Sequence, residues 1–297
     1  MLFQKVDPKE KRLKFRQELK SEKLLRFPGA FSPLVAMLIE ELGFDGIYIS
    51  GAVLSNDLGL PDIGLTTQTE VTGRGKAISR VTSLPAIIDI DTGFGEPMNV
   101  VRTVQELEEA GLAGCHIEDQ MNPKRCGHLD NKALVGIEEM TKKIKAASGA
   151  KRDENFLLIA RTDARASEGL DKAIDRAKAY VDAGAEMIFP EALKDIKEFE
   201  AFRKGVDVPL LANMTEFGKS PLLSAEDLER IGFNVVIYPV TTLRLAMHAV
   251  EEGLKAMLSK GSQAELLGQM QHRKRLYEIL QYETYNQYDK NIYNFQV

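Results

Sequence analysis

Short apolar runs alternate along this chain with longer stretches in which apolar residues recur at helical spacing. In four places a helical stretch ends at a glycine and an apolar run follows directly. A glycine at that point is typical of a helix that ends with a left-handed residue. The pattern therefore predicts four helix–strand units, at 41–50, 109–118, 182–191 and 230–239.

Further strands are predicted between these units, at 85–91, 156–162, 209–215 and 24–29. The last of these is the weakest candidate, because Arg26 and Pro28 interrupt its apolar pattern. Helical spacing predicts helices between the strands. These helices lie at 33–42, 99–110, 138–147, 170–183, 196–202 and 225–231.

Eight nearly continuous apolar strands that alternate with helices indicate a parallel sheet covered on both faces. In a chain of 297 residues, eight such units close most economically into an α/β fold of the (β/α)8 TIM-barrel type. A doubly wound open sheet is the alternative. It is disfavoured because no glycine-rich dinucleotide turn follows an early strand and no P-loop motif occurs. The predicted barrel domain comprises residues 1–262.

Residues 263–297 depart from this rhythm and form a predicted C-terminal helical arm. Within the arm, Leu276, Ile279 and Leu280 recur at helical spacing. The arm also contains Tyr277, Tyr282, Tyr285, Tyr288 and Tyr293. Two arrangements are open: the arm packs on its own barrel, or it exchanges with a neighbouring subunit because it extends beyond the last strand.

The composition excludes several classes of protein. A formal charge of −5 argues against non-specific nucleic-acid binding, which needs a basic surface. We find no apolar stretch long enough to cross a bilayer, and residues 1–20 lack the features of a signal or transit peptide. Two cysteines, Cys115 and Cys126, cannot form a disulfide framework and suit a reducing compartment. We therefore expect a cytoplasmic protein with no nucleic-acid or membrane partner.

The predicted strands end in polar residues, which is where barrel enzymes carry their catalytic groups. Asp89 and Asp91 are two residues apart, so both are predicted to project from one face of a strand. With Glu118 at the end of the next strand they form a candidate site for Mg²⁺, which prefers a few carboxylates and retains water. Solvated strand caps are the alternative interpretation of each carboxylate taken alone. The other polar strand ends are Arg161, Asp163, Glu191, Asn213 and Thr215.

Cationic side chains are candidates for binding a substrate with several carboxylates. Arginine suits this role because its planar guanidinium group meets a carboxylate with two hydrogen bonds. The candidates are Arg161, Arg244, Arg273 and His128. By contrast, His116 and Cys115 lie within a predicted strand, and we interpret both as structural residues of the core.

The segment 124–128, Lys-Arg-Cys-Gly-His, combines a thiol with three cationic or imidazole groups. It follows Asn122-Pro123, which breaks regular structure, so a loop is predicted. The adjacent positive charges of Lys124 and Arg125 would favour the thiolate of Cys126. Such a thiol beside acidic strand ends indicates an enzyme site, whereas a solvated basic loop with an incidental cysteine is the alternative.

Taken together, these motifs resemble the isocitrate lyase and phosphoenolpyruvate mutase superfamily, and within it the 2-methylisocitrate lyases. The loop Cys126-Gly127-His128 is the specific element, because the mutases lack that cysteine. The resemblance covers most of the chain. The matching segments are 50–51, 60–62, 89–95, 116–120, 124–128, 160–164, 189–192 and 211–218.

The resemblance implies a magnesium-dependent lyase, with manganese as a possible substitute for the metal. Its reaction would be the cleavage of (2S,3R)-2-methylisocitrate to pyruvate and succinate in the methylcitrate cycle of propionate catabolism. The implied ligand is thus a small di- or tricarboxylate. The resemblance also implies a barrel whose last helix is swapped between subunits, usually in a homotetramer built as a dimer of dimers.

By position, the resemblance assigns roles to individual residues. Asp89 and Asp91 would hold the metal, supported by Glu118 and Asp62, and Cys126 would protonate the carbon that becomes part of succinate. The residues that would contact the substrate are Ser50, Gly51, Ala52, Gly127, His128, Arg161, Glu191, Asn213, Thr215, Arg244 and Arg273. Ala52 departs from the glycine that many relatives carry, although a contact through its backbone amide would survive the change.

The alternative functions are an isocitrate lyase and a non-catalytic binding protein, while the cysteine loop disfavours a related decarboxylase or mutase. An isocitrate lyase acts on a substrate that lacks one methyl group, a difference worth only about 1–3 kcal/mol in a pocket. Isocitrate lyases are usually longer, however, and carry a tryptophan near the position of Phe189, whereas this chain has no tryptophan. A non-catalytic carboxylate-binding protein of the same fold is the second alternative, since fold alone does not fix function.

Overall fold

The computed structural model describes residues 6–21, 23–125, 127 and 132–293. All eight predicted strands are present, including the interrupted first one. They are β1 (Leu25–Pro28), β2 (Ile47–Ile49), β3 (Ala86–Asp89), β4 (Gly114–Glu118), β5 (Leu157–Thr162), β6 (Met187–Pro190), β7 (Leu211–Asn213) and β8 (Val235–Tyr238).

The strands form a closed parallel barrel. Strands β2 to β6 pair in sequence order, and β8 pairs with both β1 and β7. Parallel bridges between Gly29 and Tyr48 and between Ile188 and Leu210 join the two sets of strands into one ring. The prediction of a (β/α)8 barrel is confirmed, and the open doubly wound sheet is wrong.

Helices cover the barrel at each of the six predicted places. The helices are α1 (Pro8–Glu18), α2 (Pro33–Glu41), α3 (Gly51–Asp57), α4 (Gln68–Ser79), α5 (Pro97–Glu109), α6 (Ile137–Ala150), α7 (Ala164–Glu168), α8 (Leu170–Asp182), α9 (Ile196–Gly205), α10 (Ala225–Ile231), α11 (Thr241–Lys260), α12 (Arg273–Ile279) and α13 (Tyr282–Tyr293). A 3₁₀ helix, Ala264–Gln269, follows α11.

The glycines of the four repeated units have the predicted left-handed backbone. Their φ angles are 80° at Gly43, 84° at Gly111, 111° at Gly184 and 96° at Gly232. Each lets the chain leave a helix and turn directly into a buried strand. This local rule gives the barrel its repeated architecture.

Helix α1, which the apolar pattern does not predict, closes the amino-terminal end of the barrel. Phe15 is fully buried, and its ring centroid lies 5.2 Å from that of Phe27 inside the barrel. Arg12 donates hydrogen bonds to the carbonyl oxygens of Leu112 and Glu108. Because α1 covers the amino-terminal end, the carboxyl ends of the strands form the end of the barrel that opens to solvent.

Helix α11, the last helix of the barrel domain, and the C-terminal arm that follows it are packed unevenly. Helix α11 has no buried residue, and it exposes Leu245, Leu254 and Leu258. Helix α12 lies against α2 of the same chain, where Arg275 pairs with Glu41 at 2.6 Å. Part of the arm therefore packs on its own barrel, while an apolar face of α11 is uncovered. Within the described ranges, no helix combines the length and apolarity required to span a membrane.

Candidate active site

A cavity of about 240 Å³ opens at the carboxyl ends of the strands. Small-molecule sites usually range from roughly 300 to 1,000 Å³, so this one suits a small compact ligand. Many of the predicted site residues line it: Ser50, Ala52, Asp62, Asp89, Gly127, Arg161, Glu191, Asn213, Thr215 and Arg244. The other lining residues are Tyr48, Asn56, Lys124, Arg125, Pro239 and Val240.

Two carboxylates converge at the end of β3. They do so for a different reason than the predicted alternation of side chains along a strand. The strand ends at Asp89, and Asp91 has a left-handed backbone with φ 48°. Its N–H donates to Asp89 Oδ1 at 2.9 Å. A Cβ added at Gly51 would lie 2.9 Å from Asp89 Oδ2 and 3.2 Å from Asp91 Oδ1. The two oxygens therefore approach one point, for which the glycine leaves room.

Lys124 supplies positive charge to this carboxylate cluster, and the sequence did not predict that role. Its side chain is 3% exposed, and its Nζ pairs with Asp62 Oδ1 and lies 2.7 Å from Asp91 Oδ1. The ammonium group is thus engaged by two carboxylates. Its predicted effect on the thiol of Cys126 stays a prediction, since Cys126 lies outside the described residues.

The neighbouring charges shift the pKa values of both aspartates. Burial and the negative charge of Asp89 raise the pKa of Asp91 to about 6. Burial alone would also raise the pKa of Asp89, but nearby positive charge outweighs it and lowers that pKa. At neutral pH this charge comes from Lys124 and Arg161, because burial lowers the pKa of His116 to about 4. Asp89 is therefore ionised well below neutral pH, whereas Asp91 loses its proton only near pH 6.

Glu118 lies behind this pair, fully buried at the end of β4. Its Oε2 is 3.3 Å from Arg161 Nε, while its Oε1 is buried and has no hydrogen-bond partner among the described residues. From the same residues, Asp91 Oδ1 accepts no hydrogen bond of good geometry, although the Lys124 ammonium group is close. Buried oxygens are normally satisfied, so these two mark a place for a further donor or cation.

Arg161 is held in a fixed orientation on the wall of the cavity. Its Nε and Nη2 donate to the two carboxylate oxygens of Asp163 at 2.9 and 3.2 Å. Its Nη1 lies 3.5 Å from Glu191, and its guanidinium carbon stands 5.1 Å from the centre of the Phe189 ring. Asn213 Nδ2 in turn contacts Glu191 Oε1 at 3.3 Å. The predicted carboxylate-binding residues thus form one connected wall.

Tyr48 is a further site residue that the sequence interpretation missed. It lines the cavity, and its hydroxyl oxygen lies 2.8 Å from His116 Nε2. His116 is fully buried between the Tyr48 and Phe189 rings, in agreement with its predicted structural role. The available signal was weak: Tyr48 is the polar aromatic residue in the otherwise aliphatic strand β2.

Arg244 and Thr215 form the opposite rim. Arg244 Nη1 lies 3.5 Å from Thr215 Oγ1 and donates to Glu216 Oε2 at 2.6 Å. Its guanidinium group also stacks on the exposed Phe217 ring, at 5.3 Å. Since 40% of the Arg244 side chain is exposed, it remains accessible to a ligand at the mouth of the cavity.

The structure does not bring every predicted residue into this cavity. Arg273 begins α12 on the C-terminal arm and is not among the lining residues. Both the residue type and the family resemblance make Arg273 a candidate, but neither determines where the arm of a single chain packs. Cys126 and His128 lie outside the described residues. Gly127 is described: a Cβ there would fall 2.2 Å from Arg161 Nη2, so its backbone packs directly on the site.

The sequence is similar to a group of named enzymes. Residues 15–258 match the family model described as phosphoenolpyruvate phosphomutase. A Corynebacterium glutamicum protein named probable 2-methylisocitrate lyase 2 is 58% identical, covering 98% of this chain and 94% of that protein. The 2-methylisocitrate lyase of Bacillus subtilis is 48% identical, covering 94% of this chain and 92% of that protein.

The fold is similar to solved structures of related enzymes. Oxaloacetate acetylhydrolase in complex with 3,3-difluorooxalacetate superimposes with a TM-score of 0.91 at 32% identity, covering 98% of this chain and 100% of that one. Phosphonopyruvate hydrolase in complex with oxalate and Mg²⁺ superimposes with a TM-score of 0.85 at 33% identity, covering 95% of this chain and 97% of that one.

Proposed function

The chain belongs to the phosphoenolpyruvate phosphomutase family, and from this premise we propose that it cleaves 2-methylisocitrate to pyruvate and succinate. The observation that carries the proposal is the 58% identity, over nearly the full length of both chains, to a protein named probable 2-methylisocitrate lyase. The cavity supports it, because Asp89, Asp62 and the buried Arg161 line one space of the size of a small ligand.

The proposed cofactor is Mg²⁺, with Mn²⁺ able to take its place. Asp89 and Asp91 would hold it, because their oxygens converge beside Gly51. The partnerless Glu118 Oε1 fits a water of the hydrated ion. Among the described residues, no three acidic, histidine or cysteine side chains converge closely enough to enclose a metal. The proposal therefore rests on the Asp89–Asp91 pair, since Mg²⁺ is commonly bound through one or two carboxylates and keeps several waters.

The proposed reaction breaks the bond between the carbon that bears the hydroxyl and methyl groups and its neighbour, which bears a carboxylate and hydrogen. The hydroxyl proton leaves as the carbonyl of pyruvate forms, and the electron pair of the broken bond passes to the succinate fragment. When bound, Mg²⁺ supplies charge stabilisation at the hydroxyl and its adjacent carboxylate. The succinate fragment then needs one proton on carbon, so the overall proton balance is neutral.

The residues on the wall of the cavity would stabilise the negative charge that builds up on the succinate fragment. Arg161, Asn213 and Thr215 carry N–H or O–H donors, and Arg161 is already fixed by Asp163. Donors that are oriented in advance stabilise such charge without reorganising during the reaction. Their fixed orientation is why we assign stabilisation to this wall and the hydroxyl end of the substrate to the acidic pair.

Cys126 is proposed as the acid that protonates the succinate fragment. It lies in the sequence between Arg125, which lines the cavity, and Gly127, whose backbone packs on Arg161. Both neighbours therefore lie at the cavity. The segment that carries them would also exclude water from the carbanion during the reaction.

The apolar part of the cavity supports the choice of a methylated substrate. Ala52, Pro239 and Val240 are apolar residues in a lining that is otherwise largely polar. Contact with one methyl group is worth about 1–3 kcal/mol, which corresponds to a preference of about 10- to 200-fold. Isocitrate, which lacks the methyl group, would therefore be a poorer substrate.

The proposed assembly is a homotetramer of the cytoplasm, in which the C-terminal arm is exchanged between subunits, acting in propionate catabolism. The exposed apolar residues of α11, which precedes the arm, support the assembly of subunits, because Leu254 and Leu258 are 56% and 91% exposed. Contiguous apolar surface of this kind typically marks a protein interface.

Product analysis tests the proposed function. The purified protein would be supplied with Mg²⁺ and, in parallel reactions, with 2-methylisocitrate, isocitrate, oxaloacetate or 2,3-dimethylmalate. We expect pyruvate and succinate from the first substrate at the highest kcat/KM. Faster release of glyoxylate from isocitrate, or of oxalate from oxaloacetate, would assign a different reaction to the same site.

A further inference from the structure

Lys132 is a buried lysine to which the proposed reaction assigns no role. Its side chain is 2% exposed, and its Nζ lies 2.7 Å from Asp163 Oδ1. The same ammonium group donates a hydrogen bond to the carbonyl oxygen of Gly127. Burying an ammonium group is costly unless it is paired and hydrogen-bonded, and these two acceptors meet that need.

The backbone beside Lys132 is fixed to the end of strand β4. The N–H of Met121 donates to the carbonyl oxygen of Ala133 at 2.8 Å, and the N–H of Val135 donates to that of Asp119 at 2.9 Å. These two hydrogen bonds tie the residues that follow Lys132 to the barrel. The side chain of Lys132 therefore projects from an anchored segment, and its ammonium group has a defined position.

Asp163 connects Lys132 to Arg161. Its Oδ1 receives both the Lys132 ammonium group, at 2.7 Å, and Arg161 Nη2, at 3.2 Å. The backbone N–H of Asp163 donates to Asp119 Oδ1 at 2.9 Å, and this hydrogen bond fixes the position of Asp163. Loss of the positive charge at position 132 would therefore alter the position of the Arg161 guanidinium group, which lines the cavity.

Gly127 is the second group that Lys132 holds against the site. A Cβ at this position would fall 2.2 Å from Arg161 Nη2 and 2.5 Å from Glu191 Cγ. The backbone thus passes as close to these side chains as packing allows. Through the Gly127 carbonyl, Lys132 fixes a stretch of backbone that lies directly on the cavity.

We propose that Lys132 is a positioning residue that holds the Gly127 backbone and, through Asp163, the Arg161 guanidinium group in the geometry required for carbon–carbon cleavage. The kinetic part of this inference rests on the proposed function, whereas the structural part does not. A displacement of about 1 Å in such a site can reduce the rate about 100-fold.

The kinetic test compares Lys132→Met with a matched buried lysine. Methionine keeps the length of the side chain but removes its charge and donors, so we expect kcat for 2-methylisocitrate to fall about 100-fold with a much smaller change in KM. Lys132→Arg should recover part of the loss. Lys11 is the control: it is also buried, and from α1 at the opposite end of the barrel it donates to the Ser79 carbonyl oxygen at 2.9 Å. Lys11→Met should keep the wild-type kcat.

Hydrogen exchange followed by mass spectrometry tests the structural part without turnover. In Lys132→Met, peptides that contain Gly127 should exchange faster than in the wild type and in Lys11→Met. If the wild type fails to cleave 2-methylisocitrate, the proposed function fails, but this comparison still decides the role of Lys132. Unchanged exchange in Lys132→Met, or an unchanged kcat in a protein that does cleave the substrate, would overturn the inference.

Discussion

The two aspartates at the end of β3 differ in pKa although their carboxylates converge. Asp89 is stabilised as a carboxylate by nearby positive charge, while burial and Asp89 itself raise the pKa of Asp91 to about 6. Two carboxylates that crowd each other in this way are stabilised by a cation between them. At the scale of single residues, the site is therefore organised around positive charge, whether from Lys124 or from a bound metal.

Removing one of the two aspartates should weaken metal binding. We expect Asp91→Ala to require a much higher Mg²⁺ concentration for half-maximal activity, because one of the two converging carboxylates is lost. The measurement is an activity titration with Mg²⁺, supported by calorimetry of Mg²⁺ binding. Asp175→Ala removes a carboxylate that is 61% exposed on α8 and serves as the control. An unchanged titration in Asp91→Ala would count against the metal assignment.

Replacing the proposed acid should slow the chemical step. Serine holds its proton far more tightly than cysteine does, so Cys126→Ser should reduce kcat by about 10²- to 10⁴-fold, the usual contribution of a general acid. Substrate binding, measured by calorimetry in the variant, should stay close to that of the wild type. Near-normal turnover in Cys126→Ser would remove this residue from the acid role. Cys115→Ser provides no matched control, because Cys115 is fully buried in the core.

At the scale of elements, the sequence predicts what local periodicity determines. Strands and helices of the repeated units follow from their apolar spacing and their terminal glycines, and even the interrupted β1 forms because both β8 and the bridge to Tyr48 complete the ring. Helix α1 escapes prediction because its buried face carries Lys11 and Arg12. Charged residues on a buried face invert the pattern on which such predictions depend.

The missed parts of the site have a different cause, which is long-range geometry. Asp91 reaches Asp89 through a left-handed backbone that alternation along a strand does not predict. Lys124 meets Asp62 across 62 positions of sequence. Such contacts are set by closure of the barrel, so residue types and spacing identify the candidates but not their partners.

Helix α1 should contribute strongly to stability through its buried charges. Arg12 is 3% exposed, pairs with Asp153 at 2.9 Å and caps two backbone carbonyl groups. Arg12→Met leaves these buried acceptors without their donor, so we expect the free energy of unfolding to fall by about 3–5 kcal/mol in urea titrations. Lys14→Met, on the exposed face of the same helix, should change it by no more than about 0.5 kcal/mol. A loss in Arg12→Met as small as that of the control would contradict this role.

At the scale of the whole molecule, the uncovered face of α11 predicts assembly. Introducing charge there should disrupt the interface, so the double variant Leu254→Asp/Leu258→Asp should sediment as a smaller species than the wild type in analytical ultracentrifugation. Lys178→Asp places a charge change on the exposed surface of α8 and should leave the sedimentation unchanged. Equal sedimentation of the double variant and the wild type would exclude α11 from the interface.

The central claim is that this site breaks a carbon–carbon bond and then protonates the succinate fragment. Running the reaction with 2-methylisocitrate and Mg²⁺ in D₂O tests it most directly, with early products followed by NMR and mass spectrometry. We predict pyruvate with an unlabelled methyl group and succinate that carries one deuterium on carbon. Intact 2-methylisocitrate after prolonged incubation, or succinate without deuterium, would contradict the account.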